Sequence, residues 1–558
     1  MNQVHKNTSM FSSTKLALAA MLSLGAVSTL NAGTYWFDGG TVNIGSAGNG
    51  AAAGINGDWK TGLVNWDQGN ALAHVAWTNL STDTAVFGGS NTKVVTVTGT
   101  QTVGTISMGN SGWAFNGGTI DADIIDANGT GTTTFNSNLT GTLKVMATGS
   151  TVNLTQSASV LINSDNTGLL TSTEVALNQD NNHIIINHAA AFGSASATVN
   201  ISKGMVNLGN AAAPNNNVPV SYNAWATDFA GTLRGRFSES TWNGATKLTG
   251  NAQLMTRNAT GVKLIFSNTG TINLQGNTLS LYSSNSAAGI ELNGVISGSG
   301  NLQTGGGFGL HGGSDNATGI TTLSAVNTYT GNTVIKAGTV VLSSTGTIAN
   351  SANIIVGDAG STSAVLDVSA KTGGFTIGSG QKLSGIGTVD ADASGTLRTV
   401  TIAGTHAPGN SAGVQTVQGD LEYGASSVFE WELTSNTSSQ GTPPAYTFDQ
   451  VAVTGALNIV AGAKINLDFD TGVDFSNAFW SSNQSWTIFT GATSVTGNFT
   501  INTISLDSTS AAYTASHPYG SFSINGSTLS WTAIPELSNV LIGGLIGVGM
   551  LRRRRMHL

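Results

Sequence analysis

Asn327-Thr328-Tyr329-Thr330-Gly331-Asn332-Thr333-Val334-Ile335-Lys336-Ala337-Gly338-Thr339-Val340-Val341-Leu342 is the stretch on which the fold turns. Its apolar residues alternate with Thr and Lys in short runs, and Gly or Asn stands between the runs. Alternation with a period of two puts one side of an extended chain inward and the other outward. Gly and Asn are the residues that tight turns require. The same grammar recurs at Val94–Thr98, Thr102–Met108, Thr119–Ile125, Thr151–Leu154, Lys263–Ser267 and Thr278–Leu281. Strand starts spaced by roughly 8 to 12 residues mark an all-β sandwich, barrel or helix of strands. No 3.6-residue periodicity of useful length occurs outside the two termini.

Composition narrows the choice among these. Only 9% of the 558 residues are charged, while glycine contributes 74 and proline 7. An average soluble domain is about 25% charged. In a parallel β-helix each residue stacks on its counterpart one coil away at about 4.8 Å, so like charges would repel along the whole array. Thr and Ser ladders outside, with Gly and Asn at the turns, fit that arrangement. The chain has no cysteine, which excludes disulfides, thiolate metal sites and cysteine nucleophiles.

The opening stretch resembles the autotransporter-associated β-strand repeat, in which a tight Tyr-Thr-Gly turn precedes two strands and the unit makes one coil. Gly294–Gly306 and Ser351–Asp367 fit the flanking strands of that family. Ala407-Pro408-Gly409-Asn410-Ser411 followed by Val414–Leu421 is similar to the segment that often follows such repeats, as is Phe448-Asp449-Gln450-Val451-Ala452-Val453-Thr454-Gly455. Trp36, Asp58-Trp59, Asn65-Trp66 and Asp83–Phe87 resemble the first coils. What the resemblance implies is a right-handed parallel β-helix on a bacterial surface. True autotransporters end in a membrane barrel of alternating strands of about ten residues. This chain ends differently, so the resemblance concerns the passenger alone.

Both termini read as targeting segments. Lys6 and Lys15, the apolar run Leu16–Val27 and a small residue at Ala32 form a secretory signal peptide, with cleavage expected after Ala32. The run is shorter than the roughly 20 apolar residues a membrane-crossing helix needs. At the other end, Leu537–Leu551 is uncharged and mostly apolar, and Arg552, Arg553, Arg554 and Arg555 follow directly. The positive-inside rule keeps that arginine block cytoplasmic. Ile534-Pro535-Glu536, a short apolar helix and an arginine cluster resemble a PEP-CTERM sorting signal. That resemblance implies processing near Pro535-Glu536 by a membrane protease, the exosortase. The family's second proline is Leu537 here. An ordinary C-terminal tail anchor is the alternative. Losing residues 1–32 and 536–558 leaves 14 basic against 27 acidic residues, so nucleic acid is not an expected partner.

Four patterns carry possible chemistry. Gly409-Asn410-Ser411-Ala412-Gly413 matches the serine-hydrolase elbow, with His406 nearby, but the elbow needs a strand–turn–helix context and none is visible. Gly307-Phe308-Gly309-Leu310-His311-Gly312 matches a dinucleotide fingerprint without a following helix. Acidic groups occur at Asp121, Asp123 and Asp126, at Asp390 and Asp392, and at Asp468, Asp470 and Asp474. Alternation in Leu467-Asp468-Phe469-Asp470 puts both carboxylates on one face, where they are either a weak calcium site or a solvated strand face. A lyase would need a base beside such carboxylates, and Lys144 and Lys464 are the nearest in sequence. Trp36, Trp59, Trp66, Trp77 and Trp113 either stack on sugars or plug the open end of a β-helix.

The sequence therefore predicts a signal peptide (1–32), a β-helix with a tryptophan-rich cap (33–320), the repeat region (321–420), a C-terminal β region (421–533) and a sorting signal with a membrane helix (534–558). No enzymatic activity, metal or cofactor is expected. The expected role is structural, adhesive or matrix-forming on the outer surface or extracellular matrix of a Gram-negative-type bacterium. The expected partners are the secretion translocase, an exosortase-like protease and the membrane before processing. A polysaccharide-binding or polysaccharide-degrading β-helix is the alternative. A groove with clustered Asp and a Lys, Arg or His on one parallel sheet would favour it over a smooth Thr/Asn-faced rod.

Overall fold

The computed structural model describes residues 32–534 apart from 90–91, 110–111, 128–131, 148–158, 170–171, 178–182, 195–196, 210–219, 223–225, 236–238, 257–261, 284–288, 306–318, 359–362, 444 and 507–519. Residues 1–31 of the expected signal peptide, residues 535–558 of the expected sorting signal, the run Thr151–Leu154 and the motif Gly307–Gly312 lie outside the described residues. Among those described, the chain is all-β: its one helical element is a single 3₁₀ turn, Ala478–Ser481.

Parallel pairing dominates. The longest ladder holds 18 strands, from Gly57–Trp59 to Thr500–Leu506. Its registers join each strand to the strands one coil before and one coil after. The ladder is thus an open stack, with its two end strands at opposite ends of the molecule. A 14-stranded sheet forms a second face along the N-terminal coils, and a 5-stranded sheet takes that role further on. An 11-stranded sheet beginning at Val220–Tyr222 makes the third. In the early coils one long strand bends to serve two faces. In Thr100–Met108 the alternation of buried and outward residues breaks at Val103 and Gly104, which are both buried. A parallel β-helix is the result, as the alternation and low charge predict.

Why these residues stack is clearest in one inward column. Val95, Phe115, Phe135, Ile162, Ile186 and Leu208 are register partners on successive coils, and each is fully buried. Phe115 and Phe135 lie ring on ring, with centroids 4.9 Å apart and planes within 4°. Each such side chain contributes about 1.5–3 kcal/mol by leaving water. One residue further along the same strands or just beyond them runs an amide column. Asn136 Nδ2 donates to Asn116 Oδ1 (2.7 Å), Asn163 to Asn136 (2.8 Å) and Asn187 to Asn163 (2.7 Å). An amide both gives and takes, so it repeats indefinitely at the coil spacing without the repulsion a charge would meet.

The quoted repeat occupies parts of two faces. Thr333–Ile335 joins the long ladder and Thr339–Leu342 the third sheet, with Gly338 at φ 73° turning the chain between them. Tyr329 is buried, and its hydroxyl lies 2.6 Å from Thr333 Oγ1, which donates to Ser351 Oγ one coil on. A Cβ at Gly331 would meet the carbonyl oxygen of Gly300 on the preceding coil. Glycine is needed there because two backbones touch. One coil spans 21 residues here, from Asn332 to Asn353, whose amides are 2.8 Å apart.

Both ends are closed by aromatics. At the N-terminus, Thr34–Phe37 and Val64–Asp67 pair antiparallel, and Trp59, Trp66, Trp77, Phe87 and Trp113 pack over the first coils with Phe37. Of the five early tryptophans only Trp36 is not fully buried. At the other end the helix continues through 421–506 and then folds back. Gln484–Thr487, Thr528–Ala533 and Gly520–Asn525 form an antiparallel sheet over the last coil.

Candidate functional site

A concavity of about 580 Å³ lies on the outer side of the long ladder in its last coils. Its floor follows from strict alternation. In Val428–Leu433, Phe429, Trp431 and Leu433 point inward and are fully buried, so Glu430 and Glu432 point out. On the next coil Asn466 pairs in register with Glu430, and Asp468 with Glu432. On the last coil Thr503 follows Asn466 and Ser505 follows Asp468. The floor is thus a grid of polar side chains, about 4.8 Å apart along the axis and about 6.6 Å apart along each strand.

Two walls rise from it. Ala407–Ser411 leaves the ladder at Pro408, and Gly409 (φ 95°) turns it back. Asp449, fully buried, ties the second wall down: its Oδ1 accepts from Gly413 N (2.8 Å) and its Oδ2 from Glu432 N (3.0 Å). Burial pushes the Asp449 carboxyl well above the ordinary aspartate range, with Glu432 and Glu430 adding to the effect against those two hydrogen bonds. Lys382, two coils below Glu430, reaches it at 2.7 Å. Ser411 Oγ donates to Glu432 (3.4 Å) and Ser505 Oγ to Asp468 (2.9 Å). The lining therefore carries four carboxyls, one lysine and several hydroxyls and amides on one parallel sheet.

The structure separates residues that the sequence places close together. Ser411 is exposed at the groove, whereas His406 is fully buried on the opposite side of its strand. The segment between Thr405–Pro408 and Val414–Gln418 is strand–turn–strand, so Ser411 is not on an elbow. Gln415 spends its Nε2 on the carbonyls of Ser384 and Gly385, both at 3.0 Å, so its Oε1 faces His406 Nε2 at 2.7 Å. His406 Nε2–H must therefore donate, and Nδ1 accepts from the Tyr423 hydroxyl at 2.6 Å. Burial lowers the imidazole to about 4, against the opposing hydrogen bond to Gln415. His406 is a neutral core residue.

The remaining candidates are scattered. Of the third acidic group only Asp468 lines the groove. Asp470 and Asp474 hold their own turns, accepting from Thr471 N (2.5 Å) and Ser476 N (2.9 Å). Asp390 takes the amide of Asp392 (3.0 Å), and burial beside Asp367 and Asp392 raises its carboxyl. Asp121, Asp123 and Asp126 face outward on Thr119–Ala127. Among the described residues no group of three or more His, Asp or Glu is placed to hold a metal ion. Lys144 stands in register with Ile124, one coil on from Asp123 and Asp126, and its ion pair at 3.1 Å is with Glu174 on the following coil. Ala32 is exposed at the start of the described chain. The sorting-signal residues Pro535, Glu536 and Arg552, Arg553, Arg554 and Arg555 lie outside the described residues. No described helix is long and apolar enough to cross a membrane.

Sequence reasoning missed Glu430, Glu432, Asp449 and Lys382 as groove residues. The alternation in Val428–Leu433 is the signal that reveals the two glutamates. Lys382 and Asp449 carry no local signal, because they reach the groove through coils 48 and 36 residues away in sequence from Glu430 and Gly413.

No protein-family model matches the chain. It is similar to the adhesin BmaC autotransporter of Brucella suis biovar 1 (strain 1330), at 33% identity over 138 residues. The match covers 23% of this chain and 4% of that protein.

Proposed function

We propose that this chain is an exported β-helix of the bacterial cell surface, acting as an adhesive or matrix component. The carrying observation is the unbroken parallel ladder from Gly57–Trp59 to Thr500–Leu506. Such a rod displays a long, sparsely charged face of side chains at a fixed spacing. The similarity to an adhesin segment supports the same reading. In this reading the secretion translocase exports the chain and residues 1–32 are removed by cleavage after Ala32. An exosortase-like protease then recognises Pro535-Glu536, the apolar segment and Arg552–Arg555, and delivers the mature chain to the envelope or matrix. Fractionation of the producing cells with intact-mass measurement tests this. The expected product is external, begins at Gly33 and ends near Glu536. Cytoplasmic retention of the full 558-residue chain would overturn it, as would unchanged location after deletion of 535–558.

One observation favours a second reading, polysaccharide binding: the groove places acidic side chains and Lys382 together on one parallel sheet. This reading is compatible with the first, since a matrix component can hold the matrix polymer.

A further inference from the structure

We propose that the groove over Glu430, Glu432, Asn466 and Asp468 is a saccharide subsite selective for chains without acidic groups, with amino sugars held most strongly. The inference rests on the polysaccharide-binding reading and specifies its ligand.

Three observations carry it. The volume of about 580 Å³ is within the usual range of a small-ligand site, and it opens on a flat floor. That floor alternates groups that only accept with groups that do both: carboxylates at Glu430, Glu432 and Asp468, an amide at Asn466, hydroxyls at Thr503 and Ser505. A pyranose ring with vicinal hydroxyls offers donors and acceptors on the same few-ångström scale, and its apolar face can rest on the lesser apolar part of the lining at Ala407 and Pro408, since Trp431 has its ring buried in the core. Charge then sets the selectivity. Leaving aside the buried Asp449, whose carboxyl is raised, Glu430, Glu432 and Asp468 face one lysine, and Lys382 already contacts Glu430 at 2.7 Å. A uronate, sulfate or phosphate entering it would meet net negative potential within a concavity. A protonated amine would instead form charge-assisted hydrogen bonds to the carboxylate row. The hydroxyls of Ser411 and Ser505, each hydrogen-bonded to a carboxylate, hold Glu432 and Asp468 in place before a ligand arrives.

The purified exported protein is titrated calorimetrically with tetramers of glucosamine, N-acetylglucosamine and galacturonate. The expected order of affinity is glucosamine, then N-acetylglucosamine, with galacturonate not bound. Glu432→Gln combined with Asp468→Asn keeps shape and removes charge, and should weaken the glucosamine tetramer about tenfold or more, with less effect on the N-acetylated one. Asn466→Lys, on the half-buried floor, should weaken glucosamine and admit galacturonate. Circular dichroism matching the wild type establishes that each variant is folded. Absence of saturable binding to all three tetramers overturns the subsite, as does galacturonate binding equal to glucosamine, or variants that bind glucosamine like the wild type. Surface delivery is read separately by fractionation. Binding by a chain that stays inside the cell would sink the surface reading and leave the subsite standing, and the reverse outcome would do the opposite.

Discussion

The two ends of the rod meet the same physical demand by different means. An open β-helix exposes its apolar core at both ends, and each end must be covered. At the N-terminus the cover is a pile of tryptophans under long polar loops. Asp67 pins those loops by accepting from Asn49 N (2.7 Å), Gly50 N (2.6 Å) and Gly69 N (2.7 Å), and His74 bridges Asp38 Oδ2 (2.6 Å) and Ser46 O (2.7 Å). At the C-terminus the cover is an antiparallel sheet whose Phe522 and Trp531 pack on Phe475, Trp480 and Trp486. Electrostatics differ as well. For His74, burial works downward but the hydrogen bonds and charges of Asp38, Ser46 and Asp67 prevail and raise the imidazole. For His406, burial prevails and lowers it. A histidine beside a carboxylate thus steadies the N-terminal end when charged, and a histidine among neutral partners steadies the core three coils below the other end when uncharged.

The largest effect should come from breaking the aromatic covers. Trp66→Ala or Trp480→Ala should each cost about 3–5 kcal/mol. Because coils contact only their neighbours, hydrogen exchange should speed up at the mutated end and leave the far end protected. Exchange that rises uniformly along the chain would erase the distinction between the ends.

Acid should then separate them. His406 has a folded value of about 4, below the unfolded value of about 6.5. Between these, the unfolded chain takes the proton first, so stability is intact above pH 6.5 and falls as the pH drops towards 4, by roughly 3 kcal/mol. Asp449 works in the opposite sense, since a raised carboxyl takes its proton in the folded state first. Denaturant melts of wild type against His406→Gln isolate the histidine: the difference in stability between them should change across pH 6.5 to 4 and be flat above.

At the N-terminal end the sign reverses. The raised imidazole of His74 stabilises fully below about pH 6.5, and that stability is lost as the pH rises through the folded value. Asp38→Asn should reduce this pH dependence, leaving the part due to Ser46 and Asp67, and cost about 1.5–3 kcal/mol at pH 6, with local exchange confined to residues around 38–74. The smallest effect belongs to the middle of the rod. Asn163→Ala interrupts the amide column and should cost about 1–2 kcal/mol by chemical denaturation.

How much of this was legible in the sequence depended on whether the signal was local. Alternation is local, so the strands Thr333–Ile335 and Thr339–Leu342, the inward Leu467 and Phe469 and the outward Asp468 follow directly from the residues. Tryptophan crowding near the start pointed to a cap for the same reason. The groove was not legible as a whole. Glu430 and Glu432 lie on one strand, but Lys382 and Asp449 join them only after coils of unequal length are wound, and no sequence spacing encodes that winding. His406 and Ser411 show the converse. Five residues apart in sequence, they fall on opposite sides of the ladder, so a motif that looks like chemistry is divided between core and solvent.

The direction of the ladder's hydrogen bonds has a mechanical consequence. They run along the long axis of the rod, so tension applied from end to end loads the coils in series. Each coil then gives way singly, as a zipper does, and none shares the load. A coil spans between 19 residues, as from Ile320 to Thr339, and 38, as from Val451 to Phe489. At about 3.4 Å per extended residue, each release pays out about 65–130 Å of slack. A tether built this way yields in steps of graded length and keeps its remaining coils intact while it stretches.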